Sequence, residues 1–542
     1  MAAGASLRAG TEVHASGDDR ARHRLQDRRE AIRALSAREA RPTTGLSADT
    51  ASAASLEHLK RILGEVADLK HAEAVLDWDA RVSMPPAGAE ARAEVSATLT
   101  RNSHERFVAD DVGELLGELD GLDTDPDSDE AALIRVTHRL WERTRRVPSE
   151  LVGEMARANG VAVAAWDQAK AASDFASFAP HLERQLELKQ RYIECFPEIE
   201  TAYDVLLEDY EEGMTTTEVV TVFDRLKEEL IELVERRRED SADDQLLRGP
   251  FPVVLQQEAG RRVLEAFGSD ESTWRIDETP HPFASKPGVG DIRLTTHTDE
   301  NDLTSLFSTM HEFGHGIYEY DVDSSYARTP LGAGASSALH ESQSRTWENL
   351  VGRSPGFWRW FYPQLQTLFA ETLGGVDEVS FVRGINAVRP GLIRGDADEV
   401  TYGLHIILRF ELEQELLAGS VSVHDLPEIW KARMQDYLGV EVPDDARGVL
   451  QDMHWAVGLF GYFPTYQLGN VISVQIWERA VADLGNLDER FSRGEFSSLR
   501  EWLREHVYRH GSKYPPRDLL RRVTGSDLDP DPYLRYLHAK FA

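Results

Sequence analysis

From Leu56 onward, apolar residues recur at three- and four-residue steps along most of the chain, the spacing that lines one face of an α-helix. Leu56, Leu59, Ile62 and Leu63 open one such face. Val219, Val222, Phe223, Leu226, Leu230, Leu233 and Val234 form a second, and Thr215 with Glu218 at its start has the spacing of a capping box. Leu303, Leu306, Phe307, Met310, Phe313 and Ile317 form a third. A fourth begins near Asp398, runs through Leu404, Ile407, Phe410 and Leu417, and stops at Gly419. Two short stretches differ: Trp274 to Asp277 and Asp291 to Thr296 alternate apolar with polar residues, as half-buried strands do. The pairing of these two, as a hairpin or as a sheet edge that could hold an extended peptide, is open from spacing alone. Acidic, turn-rich segments at 120–130 and 239–244 read as loops. Residues 1–52 hold few large apolar side chains and no sustained period, so a disordered extension is expected there, with at most a short helix from Arg22 to Arg38. The pattern predicts a mostly α-helical chain with a small sheet, its compact part spanning 53–542.

Composition narrows the function classes. A net charge of −34 over 542 residues argues against general nucleic-acid binding, which needs a basic surface along the phosphates. No apolar run reaches the length that spans a membrane, and the first fifty residues have no hydrophobic stretch of the secretory kind. The one cysteine, Cys195, excludes an intrachain disulfide. A cytoplasmic protein without membrane or nucleic-acid partners is expected.

The chemistry is carried by His311-Glu312-Phe313-Gly314-His315, inside the third helical face. Positions i and i+4 share a side of a helix, so two imidazoles can bind one zinc ion while Glu312 lies beside them to act on a water. Two ordinary histidines on a helix would give the same spacing. His340-Glu341-Ser342-Gln343, in a segment continuing helically to Leu350, offers Glu341 as third ligand, and two histidines with one carboxylate are a common catalytic zinc set. Arg394, just ahead of the fourth helix, is suited to a substrate carboxylate, its alternative being an ion pair with Asp396 or Asp398. His405 reads as a core histidine, and Asp291 with Arg293 as a buried brace.

These pieces together resemble one family, the M32 metallocarboxypeptidases of the carboxypeptidase Taq group. The resemblance rests on 311–315, 340–343, Asp291-Ile292-Arg293-Leu294-Thr295, Ile393 to Asp398, Gly448 to Trp455, and Gly461-Tyr462-Phe463-Pro464-Thr465-Tyr466. It implies one large helical domain with a deep central groove, a small β-sheet beside the zinc site, and a homodimer. The implied activity is removal of single residues from the free C-terminus of peptides with broad specificity, using Zn2+, for which Co2+ could substitute. It also implies a tyrosine and a histidine near the metal: Tyr466, with Tyr462 as competitor, and His281. His454 and Trp455 are expected to line the groove or the core. The competing enzyme class is a zinc oligopeptidase or dipeptidyl carboxypeptidase, distinguished by product size; a metal-free peptide-binding protein is the non-enzymatic alternative.

Overall fold

The helical periods fold as helices because each buries its stripe against the next. In the computed structural model, residues 48–122, 125–237 and 248–541 are described, with side chains from residue 52. The extension expected at 1–52 lies outside them except for its last few residues, and the loop at 239–244 lies wholly outside. The chain divides at Ser55, and Leu56–Ala542 is one compact unit. Of the described residues, 69% are helical, and they include one small sheet.

Helix α1 (Ala48–Val82) buries Leu59, Ile62 and Leu63, the face read from the sequence. Helix α2 (Thr216–Arg237) starts with the expected capping box: Thr215 N–H donates to Glu218 Oε2 at 3.0 Å, and Glu218 N–H donates back to Thr215 Oγ1 at 3.3 Å. The site-bearing helices follow: α3 (Thr304–Tyr320), α4 (Ser337–Arg345), which runs on into a π-helical turn at Thr346–Val351, α5 (Glu378–Ile385), α6 (Thr401–Ala418), α7 (Phe463–Leu484) and α8 (Asp531–Phe541).

The sheet has strands β1 (Trp274–Glu278), β2 (Ala284–Gly288) and β3 (Asp291–Thr296), in the order β1-β3-β2. The two strands expected from alternation pair in parallel, Trp274 opposite Ile292 and Ile276 opposite Leu294, so they are no hairpin. The hairpin is β2 with β3. β2 escaped the pattern because Ala-Ser-Lys-Pro-Gly has no alternation, and its proline is tolerated only because the strand lies at the sheet edge. Arg293 pairs with Asp291 at 2.8 Å, but on a partly exposed surface rather than as a buried brace. The Arg275 and Arg293 guanidiniums both pack on Trp78 of α1, 4.6 and 4.4 Å from its ring.

β3 and β2 pack on α3, and α4 packs between α3 and α7. Two glycines permit this. A Cβ on Gly314 would overlap the backbone of Gln343 and Ser344, and one on Gly469 would come within 2.6 Å of Glu341 Cγ. Phe313, on the side of α3 away from the histidines, enters an aromatic core with Phe267, Trp274 and Trp347 at centroid distances of 5.1–5.3 Å. Gly314→Ala forces α4 away from α3. It should cost about 1–3 kcal/mol of stability, read by denaturant unfolding, and weaken metal binding.

Candidate active site

Each residue of the 311–315 motif has its own environment. His311 and His315 point their Nε2 atoms at a shared space 3.2 Å apart, and Glu341 Oε2 from α4 stands 3.7 and 3.4 Å from them. Donors about 2.0–2.1 Å from a tetrahedral zinc lie about 3.3 Å apart, so the three spacings fit one ion. Among the described residues, these three form the one cluster of histidine, cysteine or carboxylate ligands with metal-holding geometry. Glu312 is buried beside them, and burial pushes its carboxyl up to about 7.

Hydrogen bonds fix which imidazole nitrogen is free. His311 Nδ1 lies 2.9 Å from Glu348 Oε2, so it carries the proton and leaves the Nε2 lone pair for a metal. On His315 the same result comes through a relay. His340 Nε2 donates to Glu319 Oε1 at 3.0 Å, which leaves His340 Nδ1 to accept from His315 Nδ1 at 2.6 Å. Glu319 is held at about 2 against burial by His340 and by Lys286 of β2, which bonds its carbonyl at 2.6 Å. Burial itself pushes His315 down to about 4, keeping the ring neutral.

The carboxylates are held by one guanidinium. Arg345 donates from Nε to Glu341 Oε1 at 2.7 Å and from Nη1 to Glu348 Oε2 at 3.1 Å. Against burial, the Arg345 charge holds Glu341 well below the carboxylate range and, with the hydrogen bond from His311, holds Glu348 at about 2. The start of α4 is held by Ser336, whose Oγ accepts from Leu339 N–H at 3.2 Å, and by the buried Glu211, which accepts from Ala338 N–H. Burial raises Glu211 to about 8.

Arg345 also lies over the Tyr402 ring at 4.3 Å, and Tyr402 Oη accepts from Arg394 Nη1 at 3.1 Å. A single tyrosine thus separates the metal cluster from Arg394. Arg394 makes no pair with Asp396 or Asp398. It donates from Nε and Nη2 to Asp452 Oδ1 at 3.0 and 2.9 Å, and Arg409 Nε donates to Asp452 Oδ2 at 2.7 Å. The N-terminus of α6 offers little to an anion, since Asp398 already takes the Val400 and Thr401 N–H groups at 2.9 and 3.0 Å.

Tyr466 and Tyr462 also join this cluster. Tyr466 Oη is 3.0 Å from His454 Nε2, its ring lies 5.1 Å from the Arg394 guanidinium, and its ring centroid is 5.2 Å from that of Tyr462. The charge of Glu341 acts on both tyrosines. Trp455 is buried and donates to Glu413 Oε1 at 2.8 Å, a core position. His405 is fully buried on α6, and burial takes it down to about 3. The structure does not bring His281 to the cluster: it is exposed, and the charges acting on it are Lys170, His297 and Arg81.

The sequence reading missed Glu348, Arg345, His340 with Glu319, and Asp452. Arg345 had a signal, four residues after Glu341 on one helix. His340 and Asp452 stood inside quoted motifs without a role. Glu348 lies in the π-helical turn, where helical spacing does not apply. Glu348→Gln should weaken metal binding about 10–100-fold with the fold intact, measured by chelator competition.

Residues 58–541 match the family described as carboxypeptidase Taq (M32) metallopeptidase. The chain is 41% identical over 506 residues to thermostable carboxypeptidase 1 of Thermus thermophilus, covering 90% of this chain and 98% of that one. It is 37% identical over 484 residues to carboxypeptidase 1 of Bacillus subtilis, covering 89% and 97%. The crystal structure of an M32 carboxypeptidase from Deinococcus radiodurans R1 superposes with a TM-score of 0.87 at 40% identity, covering 90% of this chain and 99% of that chain. With coverage nearly end to end and a two-histidine, one-glutamate metal cluster in place, the chain belongs to the carboxypeptidase Taq (M32) metallopeptidase family and is a metallocarboxypeptidase.

Proposed function

We propose that this metallocarboxypeptidase uses zinc and removes single residues from the free C-terminus of peptides, with His311, His315 and Glu341 as ligands, Glu312 as general base and Arg394 as the carboxylate receptor. The observation that carries the reading is a charge imbalance. Arg394 and Arg409 share the one carboxylate of Asp452, leaving one positive charge unbalanced a single tyrosine away from the metal cluster. A substrate carboxylate supplies the missing negative charge, and the guanidinium fork suits it.

Held by His311, His315 and Glu341, zinc would supply Lewis acidity to activate a water and polarise a carbonyl. Glu312, buried beside His311 and His315, takes the proton of the attacking water and delivers it to the leaving amine. Arg394 fixes the terminal carboxylate, which sets the scissile bond one residue in from the end. The hydroxyls of Tyr466 and Tyr462 donate to the developing oxyanion. Tyr466, bonded to His454, is the first choice as donor, with Tyr462 as its competitor. His281 has no role in this scheme. In the same reading the enzyme works on peptides in the cytoplasm as a homodimer.

Mass spectrometry of an N-terminally blocked peptide should show a ladder losing one C-terminal residue per step, abolished by a chelator and restored by zinc. Release of dipeptides would instead assign a dipeptidyl carboxypeptidase. Glu312→Gln should keep the metal, read by elemental analysis, and lower kcat about 10²–10⁴-fold. Arg394→Ala should keep the metal and remove the preference for free over amidated peptides; an unchanged preference would exclude Arg394 as the receptor.

A further inference from the structure

Glu413, a carboxylate with no part in the proposed mechanism, is fully buried on α6, one turn after Arg409 and on the same face. Its Oε1 accepts from Trp455 Nε1 at 2.8 Å. Its Oε2 accepts from the Gly461 N–H at 3.0 Å and from Tyr203 Oη at 2.6 Å. Three neutral donors thus converge on one side chain, and Lys189 acts on it through charge alone. Burial pushes the Glu413 carboxyl up to about 7. An ionised carboxylate suits this place because it accepts on both oxygens and donates nothing, whereas an amide of the same shape turns an N–H toward one of the donors.

Two of these contacts flank the candidate machinery. Trp455 follows His454, which lies 3.0 Å from Tyr466 Oη, and Gly461 precedes Tyr462. Tyr462 is the N-cap residue of α7, and Tyr466 stands on its first turn. One face of α6 therefore pins residues 452–461 at three points: Asp452 through Arg409, and both Trp455 and Gly461 through Glu413. The other side is closed as well. Gly461 has a φ of +83°, and a Cβ on it would come within 2.8 Å of the Leu206 backbone. Leu206 and Tyr203 belong to the short helix Ala202–Leu207, and Tyr210 just beyond it packs edge-on against Tyr462 at a centroid distance of 5.0 Å. Gly461 is held between Glu413 and this helix, and the backbone of Tyr462 follows from it.

On the proposed role of the Tyr466 and Tyr462 hydroxyls at the oxyanion, we infer that Glu413 is a positioning residue for catalysis: it holds Trp455 and Gly461, and through them sets where those hydroxyls stand relative to the metal cluster.

The test is a double-mutant cycle on the metal-loaded enzyme with a blocked peptide as substrate, at about pH 8 so that Glu413 is ionised. Glu413→Gln should lower kcat about tenfold or more, with KM and metal content little changed, because a small misplacement of a transition-state donor is costly. In a Tyr462→Phe/Tyr466→Phe background, which lacks both hydroxyls, the same change should lower kcat less than about twofold. A loss of equal size in both backgrounds, or one that falls on KM, gives Glu413 a role in the fold alone and overturns the inference. A double phenylalanine variant that keeps the kcat of the parent enzyme would instead sink the oxyanion reading itself, and the role of Glu413 with it. Trp455→Phe keeps an aromatic ring and removes the Nε1 donor, so it carries the test where Glu413→Gln does not fold. A kcat loss of about threefold or more that disappears in the phenylalanine background supports the inference, and an equal loss in both backgrounds overturns it.

Discussion

Donor atoms from two helices must converge within about 3.3 Å of one another if they are to share one small ion, and that demand governs the centre of this fold. Side chains as short as histidine and glutamate meet at such distances only when the helix backbones nearly touch. Here they do so because Gly314 presents no Cβ to α4 and Gly469 presents none to Glu341. Phe313 holds the opposite side of α3 in the aromatic core, so the helix cannot roll to relieve the contact. The position of the ligands is therefore a consequence of packing, and the sheet behind α3 and helix α7 behind α4 are the walls that enforce it.

Charge is arranged around this centre in two unequal halves. Near the metal cluster, Glu341 and Glu348 share Arg345, and Arg353 reaches Glu348 at 3.5 Å, so the two carboxylates are matched before Glu312 is considered. Across Tyr402, Arg394 and Arg409 share Asp452, an excess of one positive charge. Burying any of these groups alone would cost several kcal/mol, and the shared partner in each half offsets much of it. On the proposed reading, the half around Asp452 lacks the charge its ligand brings, a substrate carboxylate. The Tyr402 ring between the halves, under Arg345 and bonded to Arg394, keeps Arg394 from pairing directly with the carboxylates of the metal cluster.

How much of this was legible in the chain follows from the range of each interaction. Helices and the α2 capping box were readable because their determinants lie within four residues, as with Thr215 and Glu218. The ligand set was readable because i, i+4 spacing is local and Glu341 belongs to a recognisable second motif. β2 was not, since Lys286-Pro287-Gly288 takes its strand geometry from β3 and from the bond of Lys286 to Glu319 rather than from its own pattern. The orienting shell was not either. Glu348 holding His311, the His315 to His340 to Glu319 relay, and Asp452 drawing Arg394 away from Asp396 and Asp398 all join residues 21 to 58 positions apart. Spacing rules carry no information about such pairs, and the π-helical turn displaces Glu348 from the register a regular helix would give.

The same arrangement separates the metal's chemical role from the stability of the fold. In small metal-dependent domains the ion is the core, and the ligands have no other partners. Here each ligand is already held by protein: His311 by Glu348, His315 by His340, Glu341 by Arg345. The helices that carry them are fixed by an extensive apolar core in which Phe313, Trp347 and Phe267 are fully or almost fully buried. The cluster is thus built before the ion arrives, its tautomers set and its carboxylate ionised. An ion entering it gains affinity because little ordering remains to be done.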